Sequence, residues 1–489
     1  MLVGGIDVGT QSVKVLVYDS VEKKIKALIS SPLELFSHSD GTREQKAEWY
    51  IKAIKSCFDR IDESLKRDLK SIAVSGQQHG LVPISSSGEV LWHVKLWCDT
   101  STLEECREIE EKAGGRESVI KMAGNPILPG YTASKILYLK KHHPEVYEET
   151  AYMLLIHDYI NYFLTGEIVM ERGDASGTAL MDIRKGEWCK ELVSIISPDL
   201  LDKLPPILQN PSVIGKVKES VSKYLGIKPD VTVVSGGGDN MMSAIGTGAL
   251  RDGELTISLG TSGTLFASSS LPLIDEKCRL ASFASSHSSF LPLLCTMNCT
   301  VAEEVLRKEM GIDVKEFVSL ASHAPLGSEG LILLPFFNGE RIPDYPNGEA
   351  VLGGMNMTNV KRENIARAAL EGVSFEFLLG LDAFKELSFT PKRATLIGGG
   401  SKSDFWRQMI SDITGLEIRC LINEEAAAFG AALEALALSE GKSVIETAEE
   451  HIVFDEAKTT YPDMENHEKY KAVYSKWKRY SSSLSPLFS

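Results

Sequence analysis

The sequence predicts an α/β protein made of two similar domains that face one another across a cleft. A chain of 489 residues is too long for one ordinary hydrophobic core, so two domains are expected. Two features also recur in the same order in each half: a β-hairpin with a Gly-Thr turn, and a strand that runs through three glycines into a helix. This order indicates an internal duplication, with domains over residues 1–246 and 247–489.

The first half begins with alternating apolar residues in "GGIDVGTQSVKVLVY", which predicts two antiparallel strands joined by a turn at Gly9 and Thr10. Apolar residues at helical spacing follow over 49–65. The stretch "LKSIAVSGQQHG" predicts a buried strand that ends in a polar loop, and helices are predicted over 101–114 and 132–149. The half closes with "VTVVSGGGDNMMSAIGTGAL", which predicts a buried strand, a glycine turn and a helix of small residues.

The second half repeats the hairpin in "ELTISLGTSGTLFASSS", with its turn at Gly260 and Thr261. A strand in "EGLILLPFFNGERIP" and a long helix over 361–384 follow, and "RATLIGGGSKSDFWRQMISDITG" again predicts a strand, three glycines and a helix. The small residues of "EEAAAFGAALEALAL" predict a helix suited to close packing. The basic and aromatic tail "HEKYKAVYSKWKRYSSSL" is expected to dock as a helix on the second domain.

The composition is that of a soluble globular protein, with 43% hydrophobic and 24% charged residues. A net charge of -15 argues against a nucleic-acid surface, although it leaves room for a local site for a small phosphorylated ligand. The 8 cysteines contain no CxxC pair and indicate free thiols in a reducing compartment. Because no signal sequence and no membrane-length apolar run is found, we expect a cytoplasmic protein without a membrane partner. The oligomeric state is left open, a homodimer included.

The two Gly-Thr turns suit the binding of phosphate groups. Glycine lets a backbone approach a ligand closely, and exposed N–H groups together with the hydroxyls of Thr10, Ser12, Thr261 and Ser262 can cradle phosphate oxygens. Lys14 can add a charge-assisted contact. Each turn taken alone is more typical of an ordinary tight hairpin.

Asp7 favours the nucleotide interpretation, because a carboxylate beside a phosphate cradle is repelled unless a cation such as Mg²⁺ lies between them. The equivalent place in the second hairpin holds Ser258, so only the first turn is expected to serve a metal. This asymmetry predicts one nucleotide that is clamped from two sides.

The two triple-glycine turns allow two interpretations each. Gly398 to Gly400 either expose bare backbone on which an adenosine can lie, with Ser403 near its edge, or form a turn that needs glycine for packing. The turn that ends at Gly238 presents Asp239 at the head of a helix. That carboxylate is either a catalytic group or an N-cap.

These motifs resemble those of the FGGY carbohydrate kinases, which have the actin-like ATPase fold. The resemblance covers nearly the whole chain and rests on "GIDVGTQSVK", "SGQQHG", "GNPILPGYTASK", "HDYINYFLTGE", "GDASGTALMDI", "GGGDN", "SLGTSG", "LPFFNGERIP", "AVLGGMNMTNVKRENIARAALE" and "LIGGGSKSDFWRQMISDITG". It implies a two-domain, ribonuclease H-like α/β fold with duplicated βββαβαβα domains around a cleft. It also implies ATP and Mg²⁺ as cofactors and a small sugar as substrate.

The resemblance further implies a role for each matching residue. Asp239 is the expected catalytic base, which takes a proton from the sugar hydroxyl, and Asp7 is the expected acidic residue linked to Mg²⁺. Sugar binding is expected at Gln78 and His79, with Trp97, Asp99 and Asn240 as further walls or hydrogen-bonding partners. Nucleotide binding is expected at Thr10, Gln11, Ser12, Lys14, Gly260, Thr261, Gly399 and Ser403.

The substrate implied by the resemblance is a ketopentose, D-xylulose in the first place, phosphorylated at O5. Kinases of D-xylulose usually have Gln-Met-His where this chain has Gln77-Gln78-His79, and Trp-Asn-Asp-Gly-Arg where residues 97–101 read WCDTS. The added amide of Gln78 either pairs with another hydroxyl or leaves the pocket unchanged. The alternatives are a related kinase of ribulose or sedoheptulose and a non-catalytic actin-like nucleotide-binding protein, against which Asp239 argues.

Overall fold

The computed structural model describes residues 1–488. The strands of the first half are β1 (Leu2–Val8), β2 (Ser12–Asp19), β3 (Lys24–Pro32), β4 (Phe36–Ser37), β5 (Arg43–Gln45), β6 (Leu69–Gly76), β7 (Leu81–Ile84), β8 (Val94–Lys95), β9 (Tyr152–Leu155), β10 (Met170–Glu171), β11 (Met181–Asp182), β12 (Glu187–Trp188), β13 (Ile207–Leu208), β14 (Val213–Lys216), β15 (Thr232–Val234) and β16 (Gly237–Gly238). Its helices are α1 (Ala47–Phe58), α2 (Glu63–Asp68), α3 (Leu103–Lys112), α4 (Arg116–Ala123), α5 (Thr132–His142), α6 (Pro144–Glu149), α7 (Ile156–Thr165), α8 (Arg172–Gly177), α9 (Lys190–Ile196), α10 (Leu200–Lys203), α11 (Glu219–Leu225) and α12 (Asp239–Thr247).

The second half has fewer and longer elements. Its strands are β17 (Glu254–Leu259), β18 (Gly263–Ala267), β19 (Ala281–Ala284), β20 (Phe290–Thr296), β21 (Ile332–Leu334), β22 (Val351–Gly353), β23 (Arg393–Ile397) and β24 (Glu417–Arg419). Its helices are α13 (Thr300–Met310), α14 (Val314–His323), α15 (Arg362–Glu386), α16 (Asp404–Thr414), α17 (Ala427–Glu440), α18 (Val444–His451) and α19 (Met464–Phe488).

Two large mixed sheets confirm the predicted duplication. The first has the order β14-β15-β6-β1-β2-β3, in which β1 is antiparallel to β2 and parallel to β6. The second has the order β19-β20-β18-β17-β23-β24, in which β17 is antiparallel to β18 and parallel to β23. The run β3-β2-β1-β6-β15 therefore corresponds to β20-β18-β17-β23-β24, as expected of a pair of ribonuclease H-like domains.

The two triple-glycine turns are not equivalent, which corrects one part of the sequence argument. The first follows β15, whereas the second follows β23, whose counterpart in the first domain is β6. Each turn needs glycine for a local reason. A Cβ on Gly236 would lie 2.0 Å from the Val74 carbonyl oxygen, and one on Gly398 would lie 2.6 Å from the Leu259 carbonyl oxygen. Close backbone approach therefore explains Gly236 and Gly398. The two turns follow strands that do not correspond, so they are not copies of one turn from the duplication.

Two predicted helices are divided in the structure. The helix expected over 49–65 ends at Phe58, and the chain resumes as α2 after Ile61 has entered the core. The helix expected over 132–149 separates into α5 and α6 at Pro144, which has no N–H to continue the first helix and begins the second one.

Helix α17 belongs to the second half of the chain but packs on the sheet of the first domain. A Cβ on Gly5 of β1 would lie 1.8 Å from the carbonyl oxygen of Ala428, and one on Gly246 of α12 would lie 2.0 Å from that of Ala426. A Cβ on Gly430 of α17 would likewise lie 1.8 Å from the Met242 carbonyl oxygen. The expected close packing of small residues is confirmed. The proposed boundary between residues 246 and 247 stays a prediction.

The C-terminal helix α19 packs on the second domain, as expected. Tyr470, Tyr474 and Trp477 of this helix are buried in the core of that domain, where the Trp477 indole donates to the Leu333 carbonyl at 2.9 Å. All the cysteines are free thiols. None of the helices within residues 1–488 combines the length and apolarity that a bilayer span requires.

Candidate active site

The end of β1 places Asp7 in the cleft beneath the first Gly-Thr turn. Its Oδ1 accepts a hydrogen bond from the Ser75 hydroxyl of the neighbouring strand β6 at 2.9 Å. Burial raises the pKa of Asp7 to about 6, and the Ser75 hydrogen bond and the Lys14 charge act in the opposite direction. Lys14 itself pairs with Glu425, just before α17, at 2.8 Å. The predicted metal-linked carboxylate therefore lies beside a lysine that the second half of the chain already holds.

The first turn rests on a polar network that the sequence did not predict. The Thr10 hydroxyl donates to Gln77 Oε1 at 2.9 Å and accepts from the Trp97 indole at 3.0 Å. Gln45 donates to the Thr10 carbonyl at 2.8 Å and accepts from Gln77 at 3.0 Å. Gln11 remains exposed at the tip. The network holds the backbone of the turn from behind and leaves its tip open to the cleft.

Asp239 is the first residue of α12, and the preceding Gly238 occupies the N-cap position. The N-cap interpretation of Asp239 is therefore wrong. Its Oδ1 accepts from the backbone and side-chain nitrogens of Asn240 at 2.8 and 3.0 Å. Burial, followed by the negative charge of Asp7, raises the pKa of Asp239 from 3.8 to about 7. The two predicted carboxylates are thus electrostatic neighbours, and Asp239 has the proton affinity of a general base that works near neutral pH.

Gln78, His79 and Asn240 form a second polar group next to Asp239. Asn240 donates to Gln78 Oε1 at 3.1 Å. Gln78 Nε2 and His79 Nδ1 are buried and have no hydrogen-bond partner within residues 1–488. Because buried polar atoms are normally paired, these two atoms are expected to meet a polar ligand.

The His79 ring packs against aromatic side chains from both domains. Its centroid lies 4.8 Å from that of Tyr131 and 5.7 Å from that of Phe283, which belongs to β19 of the second sheet. Neither aromatic residue was predicted as part of the site. Phe283 lies in "ASFASSHSSF", a stretch without a recognisable motif, so no local sequence signal could have found it.

Trp97 and Asp99 lie on the same loop but face different surroundings. Trp97 contacts the first turn through Thr10, and the guanidinium of Arg341 lies 5.6 Å from its ring. Asp99 is fully buried. Its two oxygens accept from the Arg43 backbone N–H at 2.8 Å, from the Lys95 ammonium at 2.9 Å, and from the backbone and hydroxyl of Ser101 at 3.0 and 2.7 Å. Its lone pairs are therefore already occupied.

The second Gly-Thr turn is anchored at the N-terminus of α13. Thr300 donates to the Gly260 carbonyl from its backbone at 3.0 Å and from its hydroxyl at 2.9 Å. Cys299 donates to the Thr261 carbonyl at 3.0 Å, and the side chain of Thr261 stays exposed. As in the first domain, the turn is fixed from behind while its tip is open.

The turn at Gly398 to Gly400 leaves a bare surface at Gly399. A Cβ on Gly399 would meet no atom of residues 1–488 within 4 Å, and its φ does not require glycine. Ser403 has a structural role, since its hydroxyl accepts from the Trp406 backbone N–H at 3.1 Å as the N-cap of α16. Packing therefore does not explain Gly399, and the adenosine interpretation of this turn stays a prediction.

The described chain has one cluster with the geometry of a metal site, formed by His157, Asp158 and Asp174. These fully buried groups bond to one another, with His157 Nδ1 at 3.1 Å from Asp174 and at 3.2 Å from Asp158. Hydrogen bonding to the two carboxylates raises the pKa of His157 well above its ordinary value against the opposing effect of burial. The cluster is therefore an internal ion pair behind the site and is not the metal site predicted at Asp7.

The fold and the site together define a two-domain kinase of the actin-like ATPase class. The N-terminal domain of the FGGY family of carbohydrate kinases matches residues 2–246, and its C-terminal domain matches residues 255–438. The chain therefore belongs to the FGGY family of carbohydrate kinases. Membership implies ATP as the phosphoryl donor and a small-molecule sugar as the acceptor.

Individual relatives cover almost the whole chain. A xylulose kinase from Haemophilus influenzae is 40% identical over 494 residues, which is 99% of each chain. A xylulose kinase from Bacillus subtilis is 31% identical over 97% of this chain and 95% of its own. The structure of a ligand-bound xylulose kinase from Lactobacillus acidophilus, 25% identical, superposes with a TM-score of 0.92 over 100% of this chain and 99% of its own.

Proposed function

We propose that the protein is a xylulose kinase, which transfers the γ-phosphoryl group of ATP to O5 of the ketopentose D-xylulose. The observation that carries this proposal is the near full-length similarity to the Haemophilus influenzae protein of that name, at 40% identity. The pair of cleft carboxylates and the unpartnered polar atoms beside them supply groups that this reaction requires. We also propose that the enzyme works in the cytoplasm, where ATP is available.

Asp239 is the general base of the proposed reaction. Its carboxylate takes the proton of the attacking hydroxyl while that oxygen bonds to the γ-phosphorus. The raised pKa of Asp239, about 7, makes its carboxylate a better proton acceptor than an ordinary aspartate. Asn240 supports this role because its two hydrogen bonds hold Oδ1 of Asp239 in place.

Asp7 is the proposed Mg²⁺ residue. Its Oδ1 accepts the Ser75 hydroxyl, and its Oδ2 accepts no hydrogen bond within residues 1–488, so an oxygen is free for a hard cation. The raised pKa values of Asp7 and Asp239 also fit a site in which a cation relieves the proximity of two carboxylates. When bound, Mg²⁺ neutralises charge on the phosphate oxygens.

The nucleotide is proposed to lie between the two Gly-Thr turns, with its adenosine on Gly399. Thr10, Ser12, Gly260 and Thr261 would offer hydroxyls and backbone N–H groups to the phosphates. Lys14 is at present neutralised by Glu425, so a phosphate oxygen must compete with that carboxylate for its ammonium. Ser403 supports the adenosine region as a helix cap rather than as a direct contact.

The sugar is proposed to lie against Gln78, His79, Asn240 and Trp97. The unpartnered Nε2 of Gln78 favours a role for its amide as a donor to a sugar hydroxyl, which an apolar side chain at this position cannot provide. For Asp99 we propose structural support of the Trp97 loop, because its hydrogen bonds are all made within the protein.

A coupled assay of ADP release with a panel of sugars tests the proposed function. D-Xylulose is expected to have the highest kcat/KM, ahead of D-ribulose, sedoheptulose and glycerol, and ³¹P NMR of the product is expected to place the phosphate on O5. Higher kcat/KM with another ketose would overturn the substrate. Nucleotide binding without ADP release for any sugar would favour the non-catalytic alternative.

A further inference from the structure

His79 has a backbone conformation that side-chain-bearing residues rarely adopt. Its φ is +68°, in the left-handed region where a Cβ is crowded by the backbone. Its carbonyl oxygen accepts two hydrogen bonds from the first turn of α5, from the Lys135 ammonium at 2.9 Å and from the Thr132 hydroxyl at 3.2 Å. A strained conformation persists only where its surroundings hold it, and these two donors are the side chains that do so.

Burial of the Lys135 side chain at this position lowers the stability of the fold. Lys135 has no exposed surface, and besides the His79 carbonyl it contacts the Gly130 carbonyl at 2.8 Å. Its ammonium makes no ion pair in the described part of the chain, and burial lowers the pKa of Lys135 to about 7 against the opposing charge of Asp99. Burying an ammonium against carbonyl oxygens alone costs stability. Its presence therefore needs a compensating benefit.

The benefit lies in where the His79 ring is directed. His79 Nδ1 is buried beside the Gly177 backbone and makes no well-aligned hydrogen bond, and the ring is held between Tyr131 and Phe283. Gly177 makes room for it, since a Cβ there would lie 2.7 Å from His79 Nδ1 and 3.3 Å from Gln78 Nε2. The two unpartnered nitrogen atoms therefore border the same small residue.

We propose that Lys135 is a positioning residue for sugar binding. By donating to the His79 carbonyl, Lys135 holds His79 in the left-handed conformation, and this conformation presents His79 Nδ1 to a sugar hydroxyl. This inference rests on the proposed function, because the hydroxyl belongs to the sugar. Thr132 supports the same carbonyl from the same helix turn. Neither side chain contacts the sugar.

The first test is steady-state kinetics of Lys135→Met, with Lys140→Met as the matched control. Lys140 lies on the same helix and also donates to a backbone carbonyl, that of Ile196 at 3.1 Å, away from the cleft. Lys135→Met is expected to raise the KM for D-xylulose roughly tenfold to a hundredfold while the KM for ATP is unchanged. Lys140→Met is expected to alter neither KM.

The second test is a double-mutant cycle that separates positioning from general structural damage. If Lys135 acts through His79, Lys135→Met adds little to the sugar KM once His79→Ala is present. Additive effects would overturn the inference, and so would an unchanged sugar KM in a folded Lys135→Met protein. Where Lys135→Met does not fold, Thr132→Val removes one donor to the same carbonyl and is expected to raise the sugar KM in the same, His79-dependent way.

Different results would contradict the proposed function and the positioning role of Lys135. If the proposed function is wrong, the unmodified protein does not release ADP with D-xylulose, and the sugar that it does accept takes the place of D-xylulose in the cycle. If only the positioning inference is wrong, the unmodified protein turns over D-xylulose, and Lys135→Met has the sugar KM of the Lys140→Met control.

Discussion

At the scale of single residues, the chemistry of Asp239 depends on its surroundings more than on its type. An aspartate in water is a weak base, but burial and the charge of Asp7 raise its pKa to about 7. The same two carboxylates repel each other without a cation between them, which links proton transfer to the proposed Mg²⁺ site. The charge on Asp7 therefore affects both metal binding and the basicity of Asp239.

The first prediction concerns the pH dependence of turnover. Below its pKa Asp239 is protonated and cannot accept a proton, so kcat/KM for the sugar is expected to fall as the pH is lowered, with a midpoint well above the ordinary value of 3.8. Bound Mg²⁺ is expected to lower that midpoint from about 7, because a cation favours the carboxylate. Asp239→Asn is expected to reduce kcat by about 10²–10⁴-fold. A flat profile down to pH 4, or an active Asp239→Asn protein, would contradict the assignment.

The second prediction concerns Gly399 and the adenosine. Because a Cβ at this position meets no atom of residues 1–488 within 4 Å, Gly399→Val is expected to fold normally. The added side chain would occupy the proposed adenosine surface and raise the KM for ATP about tenfold, which corresponds to about 1.4 kcal/mol. The sugar KM at saturating ATP serves as the internal control. An unchanged ATP KM would place the adenosine elsewhere.

At the scale of elements, α17 joins the two parts of the site. Before its first turn Glu425 holds Lys14 of the first phosphate loop. Further along, Glu434 accepts from the Ser235 hydroxyl at 2.7 Å and from the Gly236 N–H at 2.8 Å, in the turn that leads to Asp239. One helix therefore contacts both the proposed phosphate loop and the turn that carries the proposed base, and it fixes the two relative to each other. The small residues of α17 allow this contact because they let the backbones of β1, α12 and α17 approach closely.

The third prediction tests the packing of α17. In Gly430→Ala the new methyl group would lie 1.8 Å from the Met242 carbonyl oxygen, so α17 and α12 must separate. We expect a loss of stability of about 3 kcal/mol, visible as a lower thermal midpoint, together with reduced kcat. Gly399→Ala is the matched control, since its methyl group meets no protein atom. Equal thermal midpoints for the two variants would contradict the packing argument.

At the scale of the whole molecule, both domains contribute side chains to the proposed sugar pocket. Strand β19 of the second sheet reaches the first domain, where Asn125 and Ser282 exchange two hydrogen bonds of 2.7 Å and the Ala284 N–H donates to the Ser176 hydroxyl at 3.0 Å. This contact brings Phe283 against His79. We expect closure of the cleft to move the proposed nucleotide turns relative to this pocket, whose back wall already spans the domains, and to exclude water from the phosphoryl group.

The fourth prediction tests this shared pocket. Phe283→Ala removes an aromatic wall of His79 and is expected to raise the sugar KM up to about tenfold, while the KM for ATP changes little. Phe389→Ala is the control, because Phe389 is an aromatic residue of the second domain that packs on Phe384, away from the cleft. Equal sugar KM values in the two variants would show that the pocket belongs to the first domain alone.

The sequence by itself determined the parts of the protein that depend on neighbours along the chain. The alternation in β1 and β2, the Gly-Thr turns, the placement of Asp239 at a helix start and the spacing of the small residues in α17 are local patterns, and a local pattern can be read without knowing what packs against it. These patterns were sufficient for the repeated hairpins and for placing Asp7 and Asp239, whereas the ribonuclease H-like fold and the catalytic role of Asp239 were expected from the resemblance to the FGGY family.

The tertiary structure alone decided which distant residues meet. Phe283 and Lys135 join His79 from other elements, and Gln45 and Gln77 support the first turn. Phe283 and Gln45 lie outside the family motifs, and no role was predicted for Lys135 or Gln77 within theirs. It also decided that the two triple-glycine turns follow different strands of the duplicated sheet. The physical reason is that burial, pKa shifts and hydrogen-bond partners arise from contacts between segments that are tens to hundreds of residues apart, and only the packing of the folded chain brings those segments together.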